Sequence, residues 1–274
     1  MQVRYKSEPR TARSPTTSHI RLSFVINRRL KLYPMSSTSV PTITGEFNAP
    51  GEEVLSNPNL VISDLFAWNA RHNPSYPLFR WNDGGELRHI TYSTANEAMV
   101  RSARYALVSM GPSTDRTSPP RRVVAVLANT GEIYGSSSLR SAPHVVLELD
   151  TITYFTTVIG TLKAGFTLFL ISPRNAPVAV ADMLQRTGAT HILVSPDASM
   201  QGLAKEAIAI LKESGTHVAQ HAMPVFEDLY PGKPDPSSPF EANVEMCTSY
   251  DVAGPAVIMH SSGKYLHCLI RLMH

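Results

Sequence analysis

Two kinds of apolar pattern alternate along most of the chain. In one, apolar residues recur every three or four positions; in the other, every position of a short run is apolar. The first predicts helices with one buried face, and the second predicts strands covered on both sides. The segment VISDLFAWNARHNPSYPLFRW sets Ile62, Leu65, Phe66 and Asn69 on one helical face, and Asn73-Pro74 ends that helix. A short strand over 77–81 follows. TYSTANEAMVRSARYALVSMG predicts a second helix, with Ala95, Met99, Ala103 and Leu107 inward and Gly111 at its end. The polar, proline-rich STDRTSPPRR then acts as a connector.

Three strand-helix units come next. VVAVLA (123–128) predicts a buried strand, and DTITYFTTVIGTLKAG predicts a helix with a stripe of Ile152, Phe155, Ile159 and Leu162 ending at Gly165. FTLFLI (166–171) and VAVADMLQRTG repeat the unit, with Val180, Met183 and Leu184 inward. THILVS (190–195) and SMQGLAKEAIAILKESG repeat it again, with Leu203, Ala207, Ile210 and Leu211 inward. Strands alternating with helices in this way mean βαβ crossovers and a mainly parallel sheet, so the expected class is α/β. After Gln220 the pattern thins to one strand-like piece and a loop dense in Pro and Ser. Residues 256–259 restore a short apolar strand. The turn His260-Ser261-Ser262-Gly263 then sits at its carboxyl end, where open α/β sheets bind ligands.

Composition changes this picture little. The chain has 274 residues, 43% hydrophobic and 17% charged, which is a globular average. Its net charge of +3 arises largely near the start, where Arg4, Lys6, Arg10, Arg13, Arg21, Arg28, Arg29 and Lys31 face only Glu8. The remainder is near neutral, so a nucleic-acid partner is not expected. No uninterrupted apolar run approaches the ~20 residues that span a bilayer, so no membrane partner is expected. Cys247 and Cys268 make neither a disulfide framework nor a CxxC pair, which fits the reducing cytoplasm. The basic, acid-poor start has features of a mitochondrial presequence. Met35, however, opens a second plausible start, and the expectation for 1–45 is a disordered leader or one added by a wrong start codon. The ten His residues lack ligand spacing, so no metal site is expected.

Small hydroxyl residues and a glycine after a buried strand supply the donors that wrap a phosphate. The turn is not a Walker A loop, because Ile258 stands where that motif needs Gly and Tyr265 replaces Ser or Thr. GxGxxG, HExxH and GxSxG are absent, which leaves a Rossmann oxidoreductase without its fingerprint. The order of elements and the wording AVIMHSSG resemble the amino-terminal half of the adenylate-forming (AMP-binding, acyl-CoA synthetase and peptide-synthetase adenylation) superfamily. RRVVAVLANT, DTITYFTTVIGTLKAGFTLFLISPRNAP and LQRTGATHILVSPD resemble the fungal adenylate-forming reductases in particular. The resemblance covers residues 61–263. It implies ATP- and Mg2+-dependent activation of a carboxylic acid to an acyl-adenylate with release of pyrophosphate. In longer relatives it also implies transfer to a carrier thiol and reduction with NADPH. Residue by residue, it assigns Ser261, Ser262 and Gly263 to a partial phosphate loop. His260, just before them, either shapes the strand-to-turn transition or lies beside the substrate.

The chain departs from the family pattern in two places. After Gly263 the family continues with a hydroxyl residue, Thr, Gly and later Lys, whereas here stand Lys264, Tyr265, Leu266 and His267. Deleting 131–149 would rejoin VVAVLANT to DTITYF as strand, short loop and helix capped by Asp150 or Thr151. The expected organisation is therefore a leader 1–45, a partial adenylation domain 46–263 with a foreign insertion 131–149, and a tail 264–274 outside the family pattern. Both departures open on glycine followed by Glu or Lys, whose codons can contain GTGAG and GTAAGT donor-like sequences. Translation of two introns would account for both, and transcript sequence checks this. No catalytic residue is expected in the chain, and ATP and Mg2+ are assigned to the parent enzyme only. The expected function is an inactive amino-terminal fragment of an acid-activating enzyme, with exposed sheet edges that invite aggregation or chaperones. The alternative is a self-sufficient α/β binding or interaction protein.

Overall fold

The computed structural model describes residues 46–83, 86–111, 122–129, 143–246, 256–260 and 270–272. The leader 1–45, most of the insertion, and Ser261, Ser262 and Gly263 lie outside the described residues. Two helices come first, α1 (Glu52–Leu55) and α2 (Ile62–His72), followed by a hairpin of β1 (Pro77–Asp83) and β2 (Glu86–Thr91). Next is α3 (Tyr92–Met110), whose Thr91 cap accepts from the Thr94 N–H at 3.3 Å and which stops at Gly111 with φ 74°. The strand-helix series is β3 (Val123–Leu127), α4 (Pro143–Lys163), β4 (Thr167–Ile171), α5 (Pro177–Thr187), β5 (His191–Val194), α6 (Ala198–Glu213) and β6 (Ala219–Ala222). A short helix α7 (Phe226–Leu229), a 3-10 turn at Pro239–Glu241, and strands β7 (Val257–Met259) and β8 (Ile270–Leu272) complete the order.

Five parallel strands lie in the order β6-β5-β3-β4-β7, with β8 antiparallel beside β7. Pleat alternation divides β3 between two cores. Val124 and Val126 join the cluster with α3 and α4, while Ala125 and Leu127 join the cluster with α5 and α6. All four are fully buried, which is why the strand reads as an unbroken apolar run. Gly188 ends α5 in the left-handed region at φ 65°, where a side chain would be strained.

Three expectations need correction. Ile62 is exposed and Ser63 is buried beside it, whereas Phe66 packs against the core, edge-on to Phe155, and Asn69 is buried, both as expected. The buried Asn69 is satisfied by donating to the Leu65 carbonyl at 2.9 Å, while Asn73 donates to Asn69 Oδ1 at 2.9 Å. Asn73 also exchanges two 2.7 Å hydrogen bonds with the Asn48 backbone, and this ladder fixes the helix rotation. Second, the strand expected at 77–81 extends to Asp83 and pairs with β2, inside what reads as the approach to a helix. Third, α4 begins at Pro143, so Asp150 lies within the helix and caps nothing. Proline's fixed φ suits that first turn, and residues 143–149 of the expected insertion are helical.

The path from β6 to β7 crosses the α3/α4 face and is tied down there. Leu229 and Phe240 pack on Ala98. Glu241 takes Arg101 Nε at 2.7 Å and Arg104 at 3.1 Å, and Arg101 also donates to the Leu229 carbonyl at 3.3 Å. Tyr230 shares a 2.7 Å hydrogen bond with Thr156 on α4, and burial pushes its phenol well above the ordinary range. These contacts bring the chain back so that β7 docks beside β4.

Candidate functional site at the carboxyl ends of the strands

From β3 the chain steps to β4 with α4 on one face of the sheet. From β4 it steps back across β3 to β5 with α5 on the other. Connections that leave neighbouring strands toward opposite faces open a crevice between their carboxyl ends, the usual ligand position in such sheets. β7 borders this crevice. Its register, Leu168↔Val257, Phe169↔Ile258 and Leu170↔Met259, brings His260 level with the loop that leaves β4.

The His260 side chain reaches across to that loop. Its Nε2 accepts the Ser172 backbone N–H at 3.1 Å, and the Asn175 amide nitrogen stands 3.3 Å away. Two donors on one nitrogen make Nε2 the acceptor and put the ring proton on Nδ1. Asn175 also donates from its side chain to the Ser172 carbonyl at 3.1 Å and from its backbone at 3.3 Å, winding residues 172–175 into a turn. The Phe169 ring meets the imidazole edge-on, with centroids 6.1 Å apart. His260 therefore links the end of β7 to the exit of β4. Such a contact is of the kind that the strand-to-turn role requires. Ser172 and Asn175 went unassigned in the sequence, although SPRNAP carries the Pro/Asn turn signal that could have flagged them.

A second feature lies toward β5 and β6. Asp197 caps α6, accepting the Ser199 N–H at 2.7 Å and the Met200 N–H at 3.3 Å. The Ser199 hydroxyl foremost, with those backbone donors, holds its carboxyl below the usual range. Asp150 on α4 is pushed above that range, first by burial and then by Asp197 and Glu227. The β5 side of the carboxyl edge is thus acidic. Three strand spacings, roughly 14 Å, separate β5 from β7.

Among the described residues, no group of three His, Cys, Asp or Glu side chains could hold a metal ion, and no helix is long and apolar enough to cross a membrane. His260→Ala is expected to cost about 1 kcal/mol in urea unfolding, because it strands the Ser172 N–H. Faster amide hydrogen exchange at Ser172 than in the parent chain is the accompanying sign, and unchanged exchange there argues against the link.

No protein-family model matches the chain. Over 214 residues, 75% of this chain, it is 33% identical to adenylate-forming reductase Nps10 of Heterobasidion annosum. Over 212 residues it is 26% identical to adenylate-forming reductase Nps11 of Serpula lacrymans. It spans 17% of the length of each of these curated relatives. Among solved structures, O-succinylbenzoate coenzyme A synthetase of Bacillus subtilis in complex with AMP is 14% identical, with 73% of this chain and 39% of that chain covered at a TM-score of 0.47.

Proposed function

Because three quarters of the chain is similar to fungal adenylate-forming reductases, we propose that it belongs to the adenylate-forming superfamily and is the first part of an acid-activating domain, with its polyphosphate loop rooted at β7. In the parent reaction a carboxylate oxygen attacks the α-phosphorus of ATP. The bond to the bridging oxygen breaks, and pyrophosphate leaves as the acyl-adenylate forms. Ser261, Ser262 and Gly263 would hold the β- and γ-phosphates through hydroxyl and backbone donors, so their contribution is positioning and charge neutralisation. The observation that carries this reading is the His260 to Ser172 link, which supports the root of that loop beside the crevice between β3 and β4.

Mg2+, which the parent reaction uses, finds no group of three His, Cys, Asp or Glu side chains among the described residues. The 274-residue chain is inactive in this reading, because Lys264, Tyr265, Leu266 and His267 replace the residues that would close the phosphate grip. Residues 46–263 remain the partial adenylation domain, 131–149 an insertion whose last part has joined α4, and 264–274 a tail. A cytoplasmic setting and a tendency to aggregate or recruit chaperones belong to the same proposal.

ATP–pyrophosphate exchange tests it. The chain is expected to give none with any carboxylic acid, and exchange would overturn its inactivity. A chimera continuing residue 263 with the corresponding remainder of the Heterobasidion annosum relative is expected to regain exchange. Ser262→Ala in that chimera should lower the rate roughly 10–100-fold. A folded chimera without exchange, or one indifferent to Ser262→Ala, counts against the loop assignment.

A further inference from the structure

At the opposite side of the sheet, two histidines face each other across neighbouring strands. His191 opens β5 and His221 lies in β6, and the pairing His191↔Ala219 and Leu193↔His221 puts both on the same face. His191 Nδ1 and His221 Nε2 are 3.0 Å apart, with ring centroids at 5.2 Å and planes tilted by 41°. Both side chains are half-buried, so water and small ions reach them while the strands fix their spacing. Two nitrogens bound about 2.0–2.1 Å from one metal lie about 2.9 Å apart in cis square-planar geometry and about 3.4 Å apart in tetrahedral geometry. The observed separation falls between these values. Only one proton sits between the facing nitrogens. Moving it to the outer nitrogen of its own ring frees both facing lone pairs without net proton release.

We propose that His191 and His221 form a two-imidazole site for a borderline divalent transition cation such as Ni2+, Cu2+ or Zn2+, with water completing the coordination. Imidazole pairs favour this class over Mg2+ and Ca2+, which take oxygen ligands. No third His, Cys, Asp or Glu completes a cluster among the described residues, so the protein supplies two ligands. Burial first, then His221, Arg122 and His217, depresses the His191 imidazole, and burial depresses that of His221. Arg122 is nearby but donates to the Met110 carbonyl at 3.0 Å, so its guanidinium is directed to another partner. A bound ion would staple β6 to β5. The site shares no residue with the turn at His260, so either proposal can fail without the other.

Calorimetric titration of the full chain with NiCl2 tests it, alongside His191→Gln, His221→Gln, the double variant, and His72→Gln as a control on an exposed histidine elsewhere. One nickel equivalent should bind about tenfold or more weakly in each single variant, with no further loss in the double and no change in the control. Equal affinity in the parent chain and both singles overturns the proposal, as do purely additive losses. A second measurement uses the unsubstituted chain and does not depend on the variants folding. Substoichiometric Cu2+ should broaden the imidazole resonances of His191 and His221 before those of the other histidines, and earlier broadening elsewhere overturns the assignment.

Discussion

Replacing Phe169 with alanine is expected to destabilise the chain by about 3–5 kcal/mol, among the largest losses a single truncation here can give. Phe169 is 1% exposed in the middle of β4, and its ring fills the core between the sheet and the α5/α6 layer. Strands flank β4 on both sides, so little can collapse into the hole. The same ring stands edge-on to His260, and its loss also removes the wall that steadies the imidazole. For a described body of this size, that cost lowers Tm by roughly 6–20 °C. Phe169→Leu keeps most of the volume and should cost under about 1.5 kcal/mol. Urea unfolding followed by fluorescence of Trp68 and Trp81 separates the two. Alanine and leucine variants of equal stability would show that the cavity is not what matters.

How readily each element could be read from sequence follows from how local its cause is. β3, β4 and β5 are largely buried on both faces, so their runs are mostly apolar, and the expected spans 123–128, 166–171 and 190–195 each match within one residue at either end. Ala95, Met99, Ala103 and Leu107 are all buried on α3, because a long helix on a sheet repeats its contact every turn. β2 was missed because ELRHIT is almost wholly exposed and is held by pairing to β1, with Arg88 meeting Glu86 at 3.1 Å and Asp83 at 3.5 Å. β6, AQHA, likewise has no apolar signature and exists through its ladder to β5. On α2, Phe66 and Asn69 turn inward as the pattern predicts, but the small polar Ser63 is buried where hydropathy pointed to Ile62.

The candidate site divides along the same line. Position at the end of β7 was legible, because a short apolar strand followed by small hydroxyls announces itself in the residues. The partners of His260 were not. Ser172 and Asn175 precede it by more than 80 residues, and only parallel pairing of β4 with β7 brings them within hydrogen-bonding distance. The His191–His221 pair is hidden for the same reason, since the 30 residues between the two histidines disappear only once β5 and β6 align.

Gly160→Ala is expected to destabilise the chain by about 2 kcal/mol, against the roughly 1 kcal/mol gain that Gly→Ala brings in an open helix. Gly160 lies where α4 crosses α3. A Cβ placed there would stand 2.7 Å from the Met99 carbonyl oxygen and 2.5 Å from Ser102 Oγ. The Ser102 hydroxyl could rotate away, but Ser102 Cβ and the Met99 carbonyl oxygen are both fixed by the α3 backbone, so the helices themselves must separate. That contact is reinforced by Ser102 donating to the Thr157 carbonyl at 3.4 Å, a bond that separation would break. Ser102→Gly should recover part of the loss by removing the side-chain clash, with a coupling of about 1 kcal/mol in a double-mutant cycle. A rise in stability for Gly160→Ala alone would argue against a close α3/α4 crossing at this position. The consequence reaches the carboxyl edge, because α4 joins β3 to β4. A helix forced off α3 carries with it the spacing of the two strands whose ends bound the crevice beside His260.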